Sequence, residues 1–160
     1  YRKAAVQGNV RGQFNLSLMY HTGLGVQQDY AEAEKWYRKA AEQGHASAQY
    51  NLAYLYNNGQ GLPQDYAEAL KWYRRAADQG HASAQYKLGI MYREGQDVPQ
   101  DYVQAHMWFN LAASRYPASE GEKRERAAEN RDHVASKMTP AQIAEAQRLA
   151  REWKPKKGGK

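Results

Sequence analysis

The sequence predicts an all-α chain built as a tandem array of helix pairs, and three observations carry that prediction. The first is a period: Asp-Tyr recurs at 29, 65 and 101, Trp at 36, 72 and 108, Tyr at 20, 56 and 92, and Leu at 16, 52 and 88, every spacing being 36. The second is its fidelity, since residues 29–64 and 65–100 agree at 25 of 36 positions without a gap. The third is composition. Leu, Ile, Val and Phe make up only 20 of 160 residues, a share usually associated with disorder. Disorder also asks for high net charge and few aromatics, whereas here the charge is +6 and aromatics are 12%. Ala and Tyr must therefore form the core, which suits helices whose backbones approach closely.

The elements follow in order. Residues 1–5, Tyr-Arg-Lys-Ala-Ala, repeat Tyr37-Arg38-Lys39-Ala40-Ala41, so residues 1–8 are expected to be the end of an earlier copy. The chain thus reads as a fragment of a longer protein. The absence of a signal peptide then says nothing about compartment, which stays open. Three full copies follow at 9–44, 45–80 and 81–116. In each, a helix B begins at Asp29, Asp65 or Asp101, with Glu32, Glu68 or Gln104 three residues on, the arrangement of a capping box. It continues through Ala33, Trp36, Tyr37, Ala40 and Ala41, one face at helical spacing, and ends at Gly44, where positive φ is cheap. Helix A follows through Ala48, Leu52, Ala53 and Tyr56. The connection Gly59-Gln60-Gly61-Leu62-Pro63-Gln64 leads to the next copy, with Asp97 replacing the second Gly in the third.

This pattern, from Gly44-His45-Ala46 through Leu52, Tyr56, Gly59, Gly61, Asp65-Tyr66, Trp72-Tyr73 and Ala76-Ala77 to Gly80, resembles the Sel1-like repeat, a relative of the tetratricopeptide repeat. The resemblance covers about residues 1–116. It implies antiparallel helix pairs stacked into a right-handed superhelical solenoid, usually a scaffold for binding other proteins. Pentatricopeptide repeats have a similar length and read RNA, but they lack the Gly-x-Gly connection and the Trp-x-x-x-Ala-Ala helix B.

After Ala113 the repeat fades. Ser119 with Glu122 predicts a charged helix to about Lys137, and Thr139-Pro140-Ala141-Gln142 predicts another. Ile143, Ala146, Ala150 and Trp153 form its apolar face. Residues 117–153 are expected to be a two-helix cap covering the last repeat, as a solenoid requires. Residues 154–160 read as a flexible basic tail carrying Lys154, Lys156, Lys157 and Lys160, which accounts for +4 of the net charge.

Residues identical in every internal copy occupy one environment and are best explained by packing. That covers the Trp, Tyr and Leu series named above. Specificity belongs to positions that change. By resemblance to the tetratricopeptide fold, a protein or peptide partner lies in a concave groove lined by the A helices. The groove candidates are Arg11, Phe14, Leu18 and His21; Ser47, Tyr50, Tyr54 and Asn57; and Ser83, Tyr86, Ile90 and Arg93. Phe14, Tyr50 and Tyr86 are either a stacking ladder for an extended peptide or interhelix packing. Leu18/Tyr54/Ile90 and His21/Asn57/Arg93 change chemistry from copy to copy.

Catalysis is not expected. The Gly-x-Gly connections open helices capped by Asp, which repels phosphate. Neither His-Glu-x-x-His nor Ser-x-x-Lys occurs. The second absence matters because cysteine-rich Sel1 relatives have been linked to penicillin binding or β-lactamase activity, the alternative function. With no Cys there is neither a disulfide nor a thiolate metal site. His45 and His81 stand one repeat apart, too far to share a metal, so no cofactor and no metal are expected. No apolar run is long enough to span a membrane. Charge outside the tail is nearly balanced, which argues against a nucleic-acid partner.

Overall fold

A computed structural model of the protein describes residues 2–158. Tyr1 and Lys160, assigned above to the partial first copy and the lysine tail, lie outside the described residues. The described residues form nine α-helices and one 3-10 turn, with no strand. The helices are α1 (Arg2–Val6), α2 (Val10–Thr22), α3 (Tyr30–Glu42), α4 (Ala46–Asn58), α5 (Tyr66–Asp78), α6 (Ala82–Glu94), α7 (Tyr102–Arg115), α8 (Gly121–Ala135) and α9 (Pro140–Glu152). The described residues divide between two compact bodies, one of residues 2–76 with 157–158, the other Ala77–Lys156.

In the first body α2 packs on α1 and α3, and α3 on α4. On α3 the buried residues are Ala33, Trp36, Tyr37, Ala40 and Ala41, and on α4 they include Ala48, Leu52, Ala53 and Leu55. Five of these nine are Ala. Their small side chains let the helix backbones approach, while Trp36 and Tyr37 supply the apolar area that Leu and Ile provide in an ordinary core.

The helix B starts depart from a capping box in one respect. Asp29, Asp65 and Asp101 each accept from the backbone N–H three residues on, at 3.0, 2.9 and 3.0 Å. The reciprocal half is replaced. Each Asp N–H donates instead to the carbonyl of Tyr20, Tyr56 or Tyr92 on the preceding helix A. That frees the glutamates, and Glu32 and Glu68 accept from the indoles of Trp36 and Trp72, both at 3.1 Å. In the third copy Gln104 stands at this position, and the Trp108 indole is buried without a partner. Helix B of the first full copy ends as expected, with Gly44 at φ +89.

The next helix A is capped by a side chain that the periodic pattern leaves unassigned. Asn9, His45 and His81 accept through Oδ1 or Nδ1 from the N–H of Gly12, Ala48 and Ala84. One turn on, the Gln13, Gln49 and Gln85 amides donate to the Ala5, Ala41 and Ala77 carbonyls. Each adds a second donor to a carbonyl at the end of helix B that already accepts from the backbone N–H of Gly8, Gly44 or Gly80.

In the second body α7 packs against α6, α8 and α9. Ser119 does not cap α8. Pro117 turns the chain into a 3-10 turn at Ala118–Glu120, and α8 starts after Glu120 without a side-chain cap. Ala127 of α8 is buried against Ala112, Ala113 and Tyr116. α9 opens on a complete capping box, Thr139 with Gln142, with Pro140 in its first turn. Ala146 is its buried residue, and Ile143 is half-buried. Trp153, also half-buried, lies under the Arg115 guanidinium at 4.4 Å. Beyond it, Lys156 is tied to Asp78 by its backbone N–H and by its ammonium, each at 2.7 Å.

Candidate partner-binding face

Arg11, Phe14, Leu18 and His21 fall at helical spacing on one side of α2. Arg11 is exposed and the other three are half-buried. The Phe14 ring stacks on His45 at 4.5 Å and also meets Tyr37 at 6.1 Å. His21 Nδ1 lies 3.1 Å from the Tyr37 hydroxyl, which accepts from Asn51 at 3.2 Å. On α4, Ser47, Tyr50, Tyr54 and Asn57 are all half-buried, with the Tyr50 ring 5.7 Å from that of Tyr73.

In the second body the corresponding four are engaged by α7 and the cap. Ser83 accepts from the Tyr116 hydroxyl at 3.3 Å. Tyr86 packs 5.5 Å from Phe109 and accepts from the Asn130 amide at 3.3 Å. Ile90 joins the cluster of Ala105, Phe109 and Val134. Arg93 donates to Asn130 and Glu94 and lies over the Phe109 ring.

One rule runs through both bodies. Phe14, Tyr50 and Tyr86 each pack on the helix B aromatic 23 residues on, namely Tyr37, Tyr73 and Phe109. Burial holds the Tyr37 phenol protonated, its pKa pushed up to about 12 against the lowering effect of its hydrogen bonds to Asn51 and Ser17, and burial raises that of Tyr73 still further. Burial also lowers the pKa of His21, so its neutral Nδ1 can accept the Tyr37 proton while Tyr37 accepts from Asn51. This is a chain of neutral donors and acceptors suited to recognition. Among the described residues no cluster of three or more His, Asp or Glu could hold a metal, and no helix is long and apolar enough to cross a membrane.

A model of the Sel1 repeat family matches residues 10–45, 46–81 and 82–116. The chain belongs to the Sel1 repeat family. Its fold class is the all-α helical-repeat solenoid of that family. A Sel1 repeat protein from Oxalobacter formigenes is similar at 37% identity and a TM-score of 0.68, over 78% of this chain and 94% of that one. The c5321 protein, a protective antigen of uropathogenic Escherichia coli with the same fold, is 31% identical with a TM-score of 0.61. That likeness covers 99% of this chain, which spans 40% of the antigen. No curated protein matches. Sel1 repeats are generally protein-interaction scaffolds and typically non-enzymatic.

Within the Sel1 frame, several residues that build this face escaped the sequence reading. Asn51, which donates to the Tyr37 hydroxyl, is matched by Asn15 in the first copy but by Lys87 in the third, so the series is broken and does not mark it. Gln13, Gln49 and Gln85 did carry a signal, an unbroken 36-residue series, but a polar residue on a helix is read as solvent-facing by default.

Proposed function

We propose that this chain is a non-catalytic scaffold that binds a partner protein or peptide on the face formed by its A helices. The observation that carries the reading is the contrast between two layers in the first body. The lower layer, Tyr37 and Tyr73, is fully buried. On the A helices, Leu18, His21, Tyr54 and Asn57 are half-buried and differ between the two copies, aliphatic against phenol and imidazole against amide. Packing alone would repeat one residue at one position. A surface that keeps its support and varies its upper side chains is suited to reading a particular ligand.

The double variant Leu18→Ala/Tyr54→Ala tests this. Pull-down from the source cell with the full-length protein is expected to lose the partner recovered by the unaltered protein, while helicity and melting change little. Retention of that partner at unchanged affinity would remove the A-helix face from the function.

A further inference from the structure

The third copy differs from the first on the opposite helix. In α3, Glu34 is used up within the molecule, accepting from Arg38 at 2.8 Å and from the Tyr56 hydroxyl at 3.1 Å. The same two positions of α7 hold His106 and Asn110. His106 is 3% exposed, and its Nδ1 has no hydrogen-bond partner. A buried polar atom left unpaired costs on the order of 1–3 kcal/mol. His106 forms one wall of a cleft of about 470 Å³ bounded by α7, α8 and α9, within the size range of small-ligand sites.

The cleft presents donors from three helices. Arg131 comes from α8, Arg151 and Gln147 from α9, and Asn110 from α7, with Ala135 and Ile143 as apolar wall. Arg131 is held in place, donating to Asn110 at 3.2 Å and to Asp132 at 2.8 Å. Asp132, the single acid lining the cleft, is thereby paired, and its side chain is 68% exposed. Arg151 has no acidic partner among the described residues. The Arg151 guanidinium and the Arg131 N–H donors not taken up by Asp132 and Asn110, beside the Gln147 amide and an imidazole unpaired at Nδ1, match a planar carboxylate, which arginine binds through paired N–H donors.

We propose that the cleft between α7, α8 and α9 is a carboxylate-binding site, separate from the A-helix face, in which Arg131 and Arg151 hold the carboxylate and His106 supplies a further polar contact. The carboxylate comes from a free small acid or from an acidic side chain of a peptide.

The test is a titration of the full chain with glutarate, followed by NMR of the five histidine rings, at ionic strength held constant with NaCl. A second arm uses a blocked, C-terminally amidated glutamate peptide. The His106 resonance is expected to shift saturably while those of His21, His45, His81 and His133 stay in place. Arg131→Gln and Arg151→Gln are each expected to weaken binding at least tenfold. His106→Leu, which installs the residue of the second copy, should retain the fold and weaken binding several-fold. A response to both probes assigns the site to carboxylates of either source, and a response to the peptide alone assigns it to a chain-borne acid. No saturable shift at His106 with either probe, uniform shifts at all five rings, or unchanged affinity in both Arg variants would overturn the proposal. The proposed site lies on α7, α8 and α9, apart from Leu18 and Tyr54, so failure here leaves the partner-binding reading standing.

Discussion

The unpaired indole of Trp108 offers a direct measure of what one repeat position contributes. In the first two copies a Glu three residues after the Asp cap accepts from the Trp indole at 3.1 Å, whereas in the third copy Gln104 leaves that donor buried and unsatisfied. Gln104→Glu should restore the bond. Pairing a buried donor is worth about 1 kcal/mol net. A negative charge in the first helical turn adds about 0.3–1 kcal/mol from the helix dipole. The sum, about 1.5 kcal/mol, corresponds to a melting temperature higher by about 3–6 °C for a chain of this size. Met107 stands where Lys35 and Lys71 pair with the glutamate in the earlier copies, so the new carboxylate meets no competing cation from that position. Thermal melts of four proteins decide the matter: the parent, Gln104→Glu, Trp108→Phe and the double variant. Phe lacks the indole N–H, so in its background the Glu should yield only the dipole share. An equal gain in both backgrounds would refute the hydrogen-bond account.

Two further outcomes are expected. His45 caps α4 through a ring nitrogen that accepts, and burial followed by the nearby Arg11 charge lowers its pKa from 6.5. The unfolded chain therefore binds the proton more readily, and the stability that this cap contributes is complete above pH 6.5 and lost as pH falls below it. His45→Asn, copying Asn9, should flatten part of the acid-side decline in a melting-temperature profile, with His21 and His106, both also lowered, keeping the rest; an unchanged profile would count against the cap. At Gly89 an added Cβ would lie 2.6 Å from the Phe109 ring. Gly89→Ala should thus cost about 1–3 kcal/mol of overpacking against about 1 kcal/mol gained in helix propensity, and a net rise in the urea midpoint would show that the ring yields freely.

The helices were legible because three signals coincided at each one: a cap, a 3.6-residue apolar stripe and a glycine stop, repeated in register. Repetition also marked packing residues, as the burial of Leu52, Trp72 and Leu88 bears out, although Tyr20, Tyr56 and Tyr92 of the same set are only half-buried. What stayed illegible depended on where hydrogen bonds go. The Asp29, Glu32 and Trp36 side chains were visible in the sequence, but that Glu32 would turn to the indole followed from Asp29 N–H reaching Tyr20 on another helix. Ser119 failed as a cap for a local reason, since Pro117 steers the chain into a 3-10 turn first. On the candidate face, spacing placed Phe14, Leu18 and His21 on one side of α2, yet it could not reveal that Tyr37 would gather His21 and Asn51 around one hydroxyl.

The same comparison of copies explains why the last repeat is where the chain departs most from its own pattern. An internal copy is flanked by near-identical neighbours, so a substitution in it must suit the environment that the next copy repeats. The third copy instead meets α8, whose sequence owes nothing to the repeat, and its residues are free to match that single partner. Phe109 replaces the tyrosine of the earlier copies and packs with Val134 of α8. Gly89 replaces Ala53, leaving the Phe109 ring the space that a Cβ would fill. Arg93 reaches Asn130. These three are accounted for by the cap itself. His106 is not: its Nδ1 finds no acceptor or donor in α8 or α9, although both helices border it. At a buried position lining the same cleft as Arg131 and Arg151, this substitution is the one that the proposed carboxylate site would explain.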